Sequence, residues 1–240
     1  MKWFLNAFPK SGLHLLDALC KPLTVNRRAW WAGTHANSSW TFQRVGLERV
    51  TNAICYLPDN WRLIGHTCYD ADIEWYLALS SIAHIFIHRD LRDVAVSQAH
   101  HILSDDDNLQ HPDKELYRAL GSFDNVLDAV WNGYGEYPGI EERWAEYEPW
   151  LDKPDVLIIR FEDAIADLEG TADKILDYGL TITPELTLPD PQVKLELSQV
   201  LTNATEMAAS ARDTDKSPTF RRGVAGEWRN YHIFERQLVQ

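Results

Sequence analysis

Four short apolar runs limit the folds open to this chain more than any other feature of its sequence. They span Trp3–Phe8, Trp61–Gly65, His84–Ile87 and Val156–Phe161, and turn residues or charges bound them. Such runs are typical of strands that are buried on both faces of a parallel sheet. Helical patterns follow the first three, over Gly12–Cys20, Asp70–Leu79 and Asp90–Leu103. Strands that alternate with helices predict an α/β fold, a three-layer sandwich with a central parallel sheet.

Length and composition favour one domain that spans residues 1–240. The chain is 45% hydrophobic and 25% charged, which is ordinary globular usage and excludes a disordered chain. Residues 104–154 are polar and aromatic, and we interpret them as a helical or lid insertion. Within it, the segment Ser104–Tyr137 is predicted to have only a weak apolar stripe and to close over bound ligands. After the break at Pro184–Pro191, a last helix is predicted over about Val193–Ala211.

The charge balance and the cysteines limit the partners and the compartment. A net charge of −13 repels polyanions, so we expect no nucleic-acid partner. The three cysteines form no CxxC pair, which predicts buried free thiols in a reducing compartment. The apolar run at the N-terminus is far shorter than the ~20 residues of a membrane span, so we expect no membrane partner and a cytoplasmic location.

Polar groups follow each predicted strand at its carboxyl end. The first strand leads into Pro9-Lys10-Ser11-Gly12, the second into His66, the third into Arg89 and the fourth into Glu162-Asp163. In an open parallel sheet these ends face one crevice, where ligands bind. Two cations and a histidine in one crevice of an acidic protein predict an anionic ligand.

The segment Pro9-Lys10-Ser11-Gly12 lies between a strand and a helix, where backbone N–H groups and the helix dipole favour phosphate. It is not a Walker A motif, because its lysine precedes the glycine and the loop is short. On the residues alone, a plain strand-to-helix turn is the alternative. Arg89 likewise has an alternative role, a salt bridge to a helix carboxylate with Ser97 exposed to solvent.

Three separated blocks resemble the sulfotransferases that use 3′-phosphoadenosine 5′-phosphosulfate (PAPS). Phe8–Gly12 is similar to the family's 5′-phosphosulfate loop, and Arg89–Ser97 is similar to its 3′-phosphate block. The segment Arg221–Trp228 is similar to its C-terminal R-[KR]-G-x-x-G-[DE]-W signature. A looser likeness covers Ile158–Asp163. The blocks follow the family's order and span nearly the whole chain.

The resemblance implies a P-loop NTPase-like sulfotransferase fold. It also implies transfer of a sulfuryl group from PAPS to a hydroxyl or amine of a small acceptor such as a phenol, an alcohol or a sugar. The donor's product is adenosine 3′,5′-bisphosphate (PAP), and no metal is implied. The implied donor-binding residues are Pro9, Lys10, Ser11, Gly12, Leu13, His14, Arg89, Ser97, Arg221, Arg222 and Gly223. The acceptor's identity and the oligomeric state stay open.

Two of these positions have implied catalytic roles. Lys10 is implied to stabilise charge on the leaving oxygen. His66 is implied to be the general base, because family members carry their base on the corresponding strand, and a histidine can take the proton of an acceptor hydroxyl. Taken without the resemblance, a core or surface role is the favoured interpretation of His66. Its rivals are His14, His35, His100 and His101.

The chain also departs from the family's pattern. Leu13, His14 and Leu15 stand where relatives usually have two threonines and a tryptophan, so His14 is a candidate replacement for a phosphate donor. Phe161 stands where many relatives have tyrosine, and Gly65 stands near where a second lysine often precedes the base. These changes predict fewer or rearranged contacts to the donor.

Two other functional classes are alternatives. His88-Arg89-Asp90-Leu91 imitates a protein-kinase catalytic loop, but Ala95 occupies the place of the catalytic asparagine and no G-x-G-x-x-G motif is present. A small P-loop kinase would require Mg²⁺ and a nucleoside triphosphate. A non-catalytic nucleotide-binding module would use the same crevice with His66 idle.

Aromatic residues outside the phosphate blocks suit stacking against a phenol or a sugar. They are Trp30, Trp31, Trp40, Trp75, Tyr76, Trp131, Tyr134 and Tyr137. Ordinary core packing is the alternative for each of them.

Overall fold

A parallel five-stranded sheet forms the centre of the structure, a computed structural model that describes residues 1–23, 27–30, 47–104, 114–135, 137–182 and 223–237. Its strands are β1 (Lys2–Ala7), β2 (Arg27–Trp30), β3 (Trp61–Gly65), β4 (Ile82–His88) and β7 (Val156–Arg160), and β5 (Gly133–Tyr134) and β6 (Tyr137–Pro138) form a separate antiparallel pair. The sheet order is β2-β3-β1-β4-β7. The four strands predicted from apolar runs are confirmed. The sequence pattern misses β2, because two arginines at its start interrupt any apolar run.

Helices cover both faces of the sheet. They are α1 (Leu13–Cys20), α2 (Leu47–Cys55), α3 (Ala71–Leu79), α4 (Leu91–Leu103), α5 (Lys114–Arg118), α6 (Phe123–Asn132), α7 (Ile140–Ala145), α8 (Phe161–Ala166) and α9 (Leu168–Ile182). Short 3₁₀ helices span Lys21–Leu23, Glu148–Asp152, Glu227–Asn230 and His232–Gln237. Within the described ranges, no helix is long and apolar enough to cross a membrane.

Alternate residues of each central strand enter two separate hydrophobic cores, one on each face of the sheet. On β1, Phe4 packs in the core formed with α2 to α7, whereas Leu5 packs in the core formed with α1, α8 and α9. On β4, Phe86 and Ile85 divide between the two cores in the same way. This alternation produces the predicted three-layer sandwich.

Aspartate caps begin the helices that follow β3 and β4. Asp70 Oδ1 accepts hydrogen bonds from the backbone N–H groups of Asp72 at 2.9 Å and Ile73 at 3.3 Å, where α3 begins. Asp90 Oδ1 accepts one from the backbone N–H of Arg92 at 3.0 Å, where α4 begins. Each cap satisfies N–H groups that have no partner within the helix. The caps therefore define the turns that leave the carboxyl ends of these strands.

The described part of residues 104–154 contains the helices α5 to α7, a 3₁₀ helix and the strand pair β5–β6, and its helices contribute to the core. One face of α6 is buried against α4; its residues are Val126, Leu127, Ala129, Val130 and Trp131. This apolar stripe is stronger than the one expected for Ser104–Tyr137, so that expectation is wrong for α6. Residues 105–113 and 136 lie outside the described residues, as do Pro184–Pro191 and Val193–Ala211. Closure over a ligand stays a prediction.

The three cysteines are free thiols. Cys20 and Cys68 are buried, as expected, whereas Cys55 is exposed at the end of α2. Burial raises the pKa of the Cys20 and Cys68 thiols well above the ordinary value. Both thiols therefore stay protonated near neutral pH and are poor nucleophiles.

A buried ion pair joins β3 to α1. Arg62 Nε donates to Asp17 Oδ1 at 2.6 Å, and the two side chains are only 4% and 11% exposed. The pair holds α1, which begins directly after the loop that follows β1, against the sheet. Removing one partner of such a pair leaves an uncompensated buried charge, whereas replacing both partners by apolar residues is often neutral.

Replacing Arg62 by methionine is expected to lower the free energy of unfolding by about 3–5 kcal/mol, because the buried carboxylate of Asp17 loses the guanidinium that it pairs with. The double variant Arg62→Met/Asp17→Leu should recover most of that loss. Urea unfolding followed by circular dichroism measures both effects. A double variant that is as unstable as the single one would contradict this role of the pair.

Candidate functional site

The carboxyl ends of β3, β1, β4 and β7 lie side by side, because these strands are neighbours in that order. The strand β1 leads into the loop Phe8–Gly12, and β3 leads into His66. The strand β4 leads into Arg89, and β7 leads into Phe161–Asp163. The turns at these four carboxyl ends, which form the corners of the sheet, therefore border the predicted crevice.

The loop Phe8–Gly12 turns sharply between β1 and α1. The backbone N–H of Ser11 donates to the carbonyl of Phe8 at 3.1 Å, and Lys10 and Gly12 have φ angles of 69° and 105°. Left-handed backbone suits glycine but strains a lysine, and such strain is concentrated at functional sites. Ser11 is fully buried, and its hydroxyl has no hydrogen-bond partner among the described residues. A buried hydroxyl in this state is a candidate ligand contact.

Phe161 connects this loop to Arg89. Any side chain at Gly12 is excluded, because a Cβ atom there would lie 2.5 Å from Cδ2 of Phe161. The guanidinium of Arg89 lies 4.5 Å from the centre of the same ring, which is a cation–π contact. The ring of Phe161 thus lies against both Gly12, in the loop after β1, and Arg89, directly after β4.

His66 has a defined tautomer. Its Nδ1 atom lies 2.8 Å from the backbone carbonyl oxygen of Ala7. A carbonyl only accepts hydrogen bonds, so Nδ1 carries the proton and Nε2 carries the lone pair. The ring therefore offers Nε2 as a proton acceptor.

The ionisation of His66 depends on its burial and on the loop after β1. The pKa of His66 is lowered to about 4, mainly by burial; the hydrogen bond to Ala7 opposes this shift, and the nearby charges of His14 and Lys10 add to it. His66 is therefore neutral at physiological pH. The influence of Lys10 and His14 also shows that the β1 loop and the end of β3 share one electrostatic environment.

Two buried side chains hold the backbone that follows His66. Asn6 Nδ2 donates to the carbonyl of Thr67 at 3.0 Å, and Asn6 Oδ1 accepts from the N–H of Thr67 at 2.8 Å. Trp150 Nε1 donates to the same carbonyl at 3.0 Å. Asn6 is not among the site residues predicted from the sequence. The signal that identifies it is a polar residue inside the otherwise apolar run Trp3–Phe8.

A carboxylate in α4 organises the described part of the C-terminal segment. Asp93 is 1% exposed and accepts hydrogen bonds from the backbone N–H groups of Gly226 at 2.6 Å and Trp228 at 3.0 Å. Arg89 donates to the carbonyl of Val224 at 2.8 Å and lies 3.9 Å from Asp93. These contacts bring together two of the sequence blocks that are far apart along the chain.

Further polar contacts join the β4 and β7 corners. Arg92 forms an ion pair with Asp90 at 2.6 Å and lies 3.5 Å from the centre of the Trp228 ring. Glu162 accepts hydrogen bonds from the backbone N–H of Asp90 and from Nε of Arg160, both at 3.0 Å. Carboxylates thus orient the arginines and backbone that border the crevice.

Most of the predicted site residues meet at these corners. They are Pro9, Lys10, Ser11, Gly12, Leu13, His14, His66, Arg89 and Gly223. The side chain of Leu13 packs in the core, so only its backbone N–H is a candidate ligand contact at that position. Ser97 is half-buried in α4, and its hydroxyl forms no hydrogen bond with another described residue. Arg221 and Arg222 lie outside the described residues.

The rival histidines have other surroundings. His100 and His101 lie in the last turn of α4, and Nε2 of His100 is 3.2 Å from the hydroxyl of Tyr231. His14 is exposed on α1, and His35 lies outside the described residues. His66 combines a position at a strand end with a defined tautomer, which favours it as the proton acceptor.

The donor set of the crevice suits oxyanions. Lys10, Arg89 and the N–H groups at the start of α1 can all donate to phosphate or sulfate oxygens. In the portion of the chain that is described, no group of three or more His, Cys, Asp and Glu side chains could hold a metal ion.

Comparisons with known proteins indicate the same relationship as the sequence blocks. A family model for the sulfotransferase domain matches residues 2–237. The search of curated proteins gives no significant match. A matching solved structure is mouse sulfotransferase SULT7A1 in complex with PAP, with a TM-score of 0.63 at 18% identity, covering 96% of this chain and 78% of that chain.

Two structures of retinol dehydratase also match. The complex with androsterone and the inactive cofactor PAP has a TM-score of 0.59 at 18% identity and covers 98% of this chain and 78% of that chain. The complex with retinol and PAP has a TM-score of 0.56 at 17% identity, with coverage of 98% and 78%. At this identity the likeness shows the fold, and it confirms the fold class expected from the sequence.

Removing the carboxylate of Asp93 is expected to loosen the segment 223–230. Asp93→Ala should lower the free energy of unfolding by about 1.5–3 kcal/mol, because it leaves two N–H groups without their charged acceptor. Urea unfolding measures the loss, and amide hydrogen exchange should accelerate at Gly226 and Trp228. Asp177→Ala, at an exposed position of α9, is the control and should change stability by less than about 0.5 kcal/mol. Unchanged exchange at both amides in Asp93→Ala would contradict the assignment.

Proposed function

We propose that this chain, which belongs to the sulfotransferase domain family, transfers the sulfuryl group of PAPS to a hydroxyl or amine of a small acceptor, with His66 as the general base. The family membership and the PAP-bound neighbours support PAPS as the donor. The observation that carries the residue assignment is the hydrogen bond from Nδ1 of His66 to the Ala7 carbonyl, which leaves Nε2 unprotonated.

The proposed reaction is an in-line displacement at sulfur. The acceptor oxygen or nitrogen forms a bond to sulfur while the bond between sulfur and the 5′-phosphate oxygen breaks. The acceptor's proton passes to Nε2 of His66, and the leaving group departs as PAP. General-base assistance of this kind contributes about 10²–10⁴ to a rate. No redox partner is required, because sulfur keeps its oxidation state.

The loop Phe8–Gly12 is proposed to hold the phosphosulfate group. Lys10 supplies a positive charge where the leaving oxygen becomes negative, and Ser11 supplies a buried hydroxyl that has no other described hydrogen-bond partner. Close packing of Gly12 on Phe161 allows the backbone to turn without a side chain in the way. Such preorganised donors stabilise the transition state more than the ground state.

Arg89 is proposed to bind the 3′-phosphate of the donor together with Ser97, Arg222 and Gly223. Its guanidinium contacts the ring of Phe161, the carbonyl of Val224 and the carboxylate of Asp93. A guanidinium that is already oriented loses little conformational entropy when it binds phosphate. The salt bridge to a helix carboxylate that was the alternative role of Arg89 is therefore also formed, with Asp93, and we propose that it orients Arg89.

The acceptor is proposed to be a small, largely apolar molecule. The retinol dehydratase neighbours were crystallised with androsterone and with retinol. At the first position of the loop Phe8–Gly12, the ring of Phe8 packs edge-on against the rings of Trp144 at 5.5 Å and Tyr147 at 5.1 Å. Trp131, which the sequence analysis considered as an acceptor contact, instead packs on Phe234 at 5.1 Å in the core. Screening phenols, alcohols, sugars and amines with labelled PAPS tests the reaction and the acceptor class.

His66→Ala is expected to lower kcat by about 10²–10⁴ while the Kd for PAP changes little, because only proton transfer is lost. Steady-state kinetics and calorimetric titration with PAP measure the two quantities. His100→Ala is the matched control, since it removes an imidazole of α4 that contacts Tyr231. A His66→Ala enzyme that keeps more than about a tenth of the wild-type kcat would transfer the base role to another group.

The pH dependence should report the same residue. A general base acts only when unprotonated, so kcat/KM for the donor should fall as the pH drops through about 4, the pKa of His66 before the donor binds. Bound PAPS brings negative charge beside the imidazole and raises its pKa, so the acidic limb of kcat should lie at higher pH. Both limbs should disappear in His66→Ala. Coincident limbs in kcat and kcat/KM would contradict a donor that binds next to His66.

Arg89→Ala is expected to weaken PAP binding by about 1.5–3 kcal/mol, the scale of a hydrogen bond to a charged group. Binding of adenosine 5′-phosphate, which lacks the 3′-phosphate, should barely change. Calorimetric titration compares the two nucleotides, and Arg222→Ala should behave in the same way. Arg118→Ala, which removes a partly exposed arginine paired with Glu115, is the control. Equal losses for both nucleotides would show that Arg89 does not recognise the 3′-phosphate.

A further inference from the structure

Asn6 is the second-last residue of β1 and is fully buried. Its side-chain amide forms three hydrogen bonds to backbone groups. Its Oδ1 atom accepts from the N–H of Ala7 at 3.0 Å and from the N–H of Thr67 at 2.8 Å. Its Nδ2 atom donates to the carbonyl of Thr67 at 3.0 Å. Burying an amide is costly unless it is satisfied in this way, so the arrangement requires a compensating set of partners.

These bonds continue the contact between β1 and β3 beyond the end of the sheet. The register of the two strands ends where Asn6 lies opposite Gly65. From there, the Asn6 amide takes the place of a strand neighbour and satisfies both the N–H and the carbonyl of Thr67. His66 is therefore held between Gly65, which is paired in the sheet, and Thr67, which is bound to Asn6.

The same side chain acts on the carbonyl that sets the tautomer of His66. The N–H of Ala7 donates to Asn6 Oδ1, and the carbonyl of Ala7 accepts from Nδ1 of His66. Asn6 thus restrains the residue that receives the imidazole proton and the residue that follows the imidazole in the chain. A general base gains its effect from such restraint, since a displacement of about 1 Å can reduce a rate by ~10²-fold.

We propose that Asn6 is a positioning residue that holds His66 with Nδ1 on the Ala7 carbonyl and Nε2 directed to the acceptor, acting through Ala7 and Thr67. This inference rests on the proposed function of His66 as the base. This role requires a side chain that carries an acceptor for the N–H groups of Ala7 and Thr67 and also a donor for the carbonyl of Thr67. Aspartate keeps the acceptor and loses the donor when ionised, and alanine loses both.

The test uses the full chain and a readout that does not depend on turnover. In protein labelled with ¹⁵N-histidine, the His66 ring signals, assigned by their loss in His66→Asn, should show a protonated Nδ1 and an unprotonated Nε2 in the wild type. Asn6→Ala should give a mixture of the two tautomers. Because burial is the main cause of the low pKa of His66, a loosened ring should also titrate closer to the ordinary value.

Tyr178→Phe is the matched control. The hydroxyl of Tyr178 also bridges two backbone groups, accepting from the N–H of His84 and donating to the carbonyl of Asp155, at the opposite end of the strands from the crevice. Its loss should lower the urea midpoint of unfolding to a degree similar to that of Asn6→Ala. The tautomer and titration of His66 should be unchanged in Tyr178→Phe.

Kinetics with 4-nitrophenol as the acceptor probe give the second readout. Asn6→Ala should lower kcat about 10²-fold with little change in the KM for PAPS. Asn6→Asp should be impaired at pH 8 and recover part of the loss as the pH falls, because burial raises the pKa of a carboxyl and its protonated form regains a donor for Thr67. Should Asn6→Ala prove insoluble, this recovery and the ring signals of Asn6→Asp decide the question.

The outcomes separate the two proposals. A single, wild-type tautomer of His66 in both Asn6 variants would overturn the positioning role, whatever the activity. A kcat loss in Tyr178→Phe equal to that in Asn6→Ala would also overturn it, since it would reflect general destabilisation. By contrast, an active His66→Ala enzyme together with altered ring signals in Asn6→Ala would refute the base assignment and leave the geometric role of Asn6 supported.

Discussion

The pairing of β1 with β3 on one side and with β4 on the other is the constraint on which the rest of the structure depends. Parallel pairing places the carboxyl ends of neighbouring strands at one edge, with Asn6 opposite both Gly65 and Phe86. The loop after β1 then lies between the corners that carry His66 and Arg89. Helices must cover both faces of a sheet built in this way, and the two cores that result keep these corners in place.

Carboxylates support the proposed anion site of this acidic protein. Asp93 binds backbone N–H groups of the C-terminal segment, and Glu162 binds the backbone where α4 begins. Their partners are therefore fixed groups whose orientation persists without a ligand. The buried hydroxyl of Ser11, which has no hydrogen-bond partner among the described residues, adds a donor that would gain from a bound anion. A local site of this kind is compatible with a net charge of −13, because screening confines the repulsion of distant charges to about 8 Å at physiological salt.

The positions of strands and caps were open to prediction, and the packing of individual helices was not. Apolar runs locate β1, β3, β4 and β7, since a strand buried on both faces has no polar side. The strand β2 begins with two arginines, and its place at the sheet edge comes from pairing with β3. The apolar face of α6 is hard to recognise in the sequence because Asp128 interrupts its residues, and only burial against α4 shows that they share one side. Among the site residues, Lys10, His66 and Arg89 could be predicted from their places after strands, whereas the contribution of Asn6 could not.

By itself the sequence determined the fold class, the order of the strands that supply the site, the family and the chemical types gathered at the carboxyl ends, because these follow from periodicity, chain order and local motifs. Only the tertiary structure decided which nitrogen of His66 carries its proton, which groups orient Arg89, and that the ring of Phe161 fills the space beside Gly12. Those features arise from contacts between residues distant in the chain. Hydrogen bonds and close packing act over a few ångströms, so they exist only after the sheet has brought such residues together.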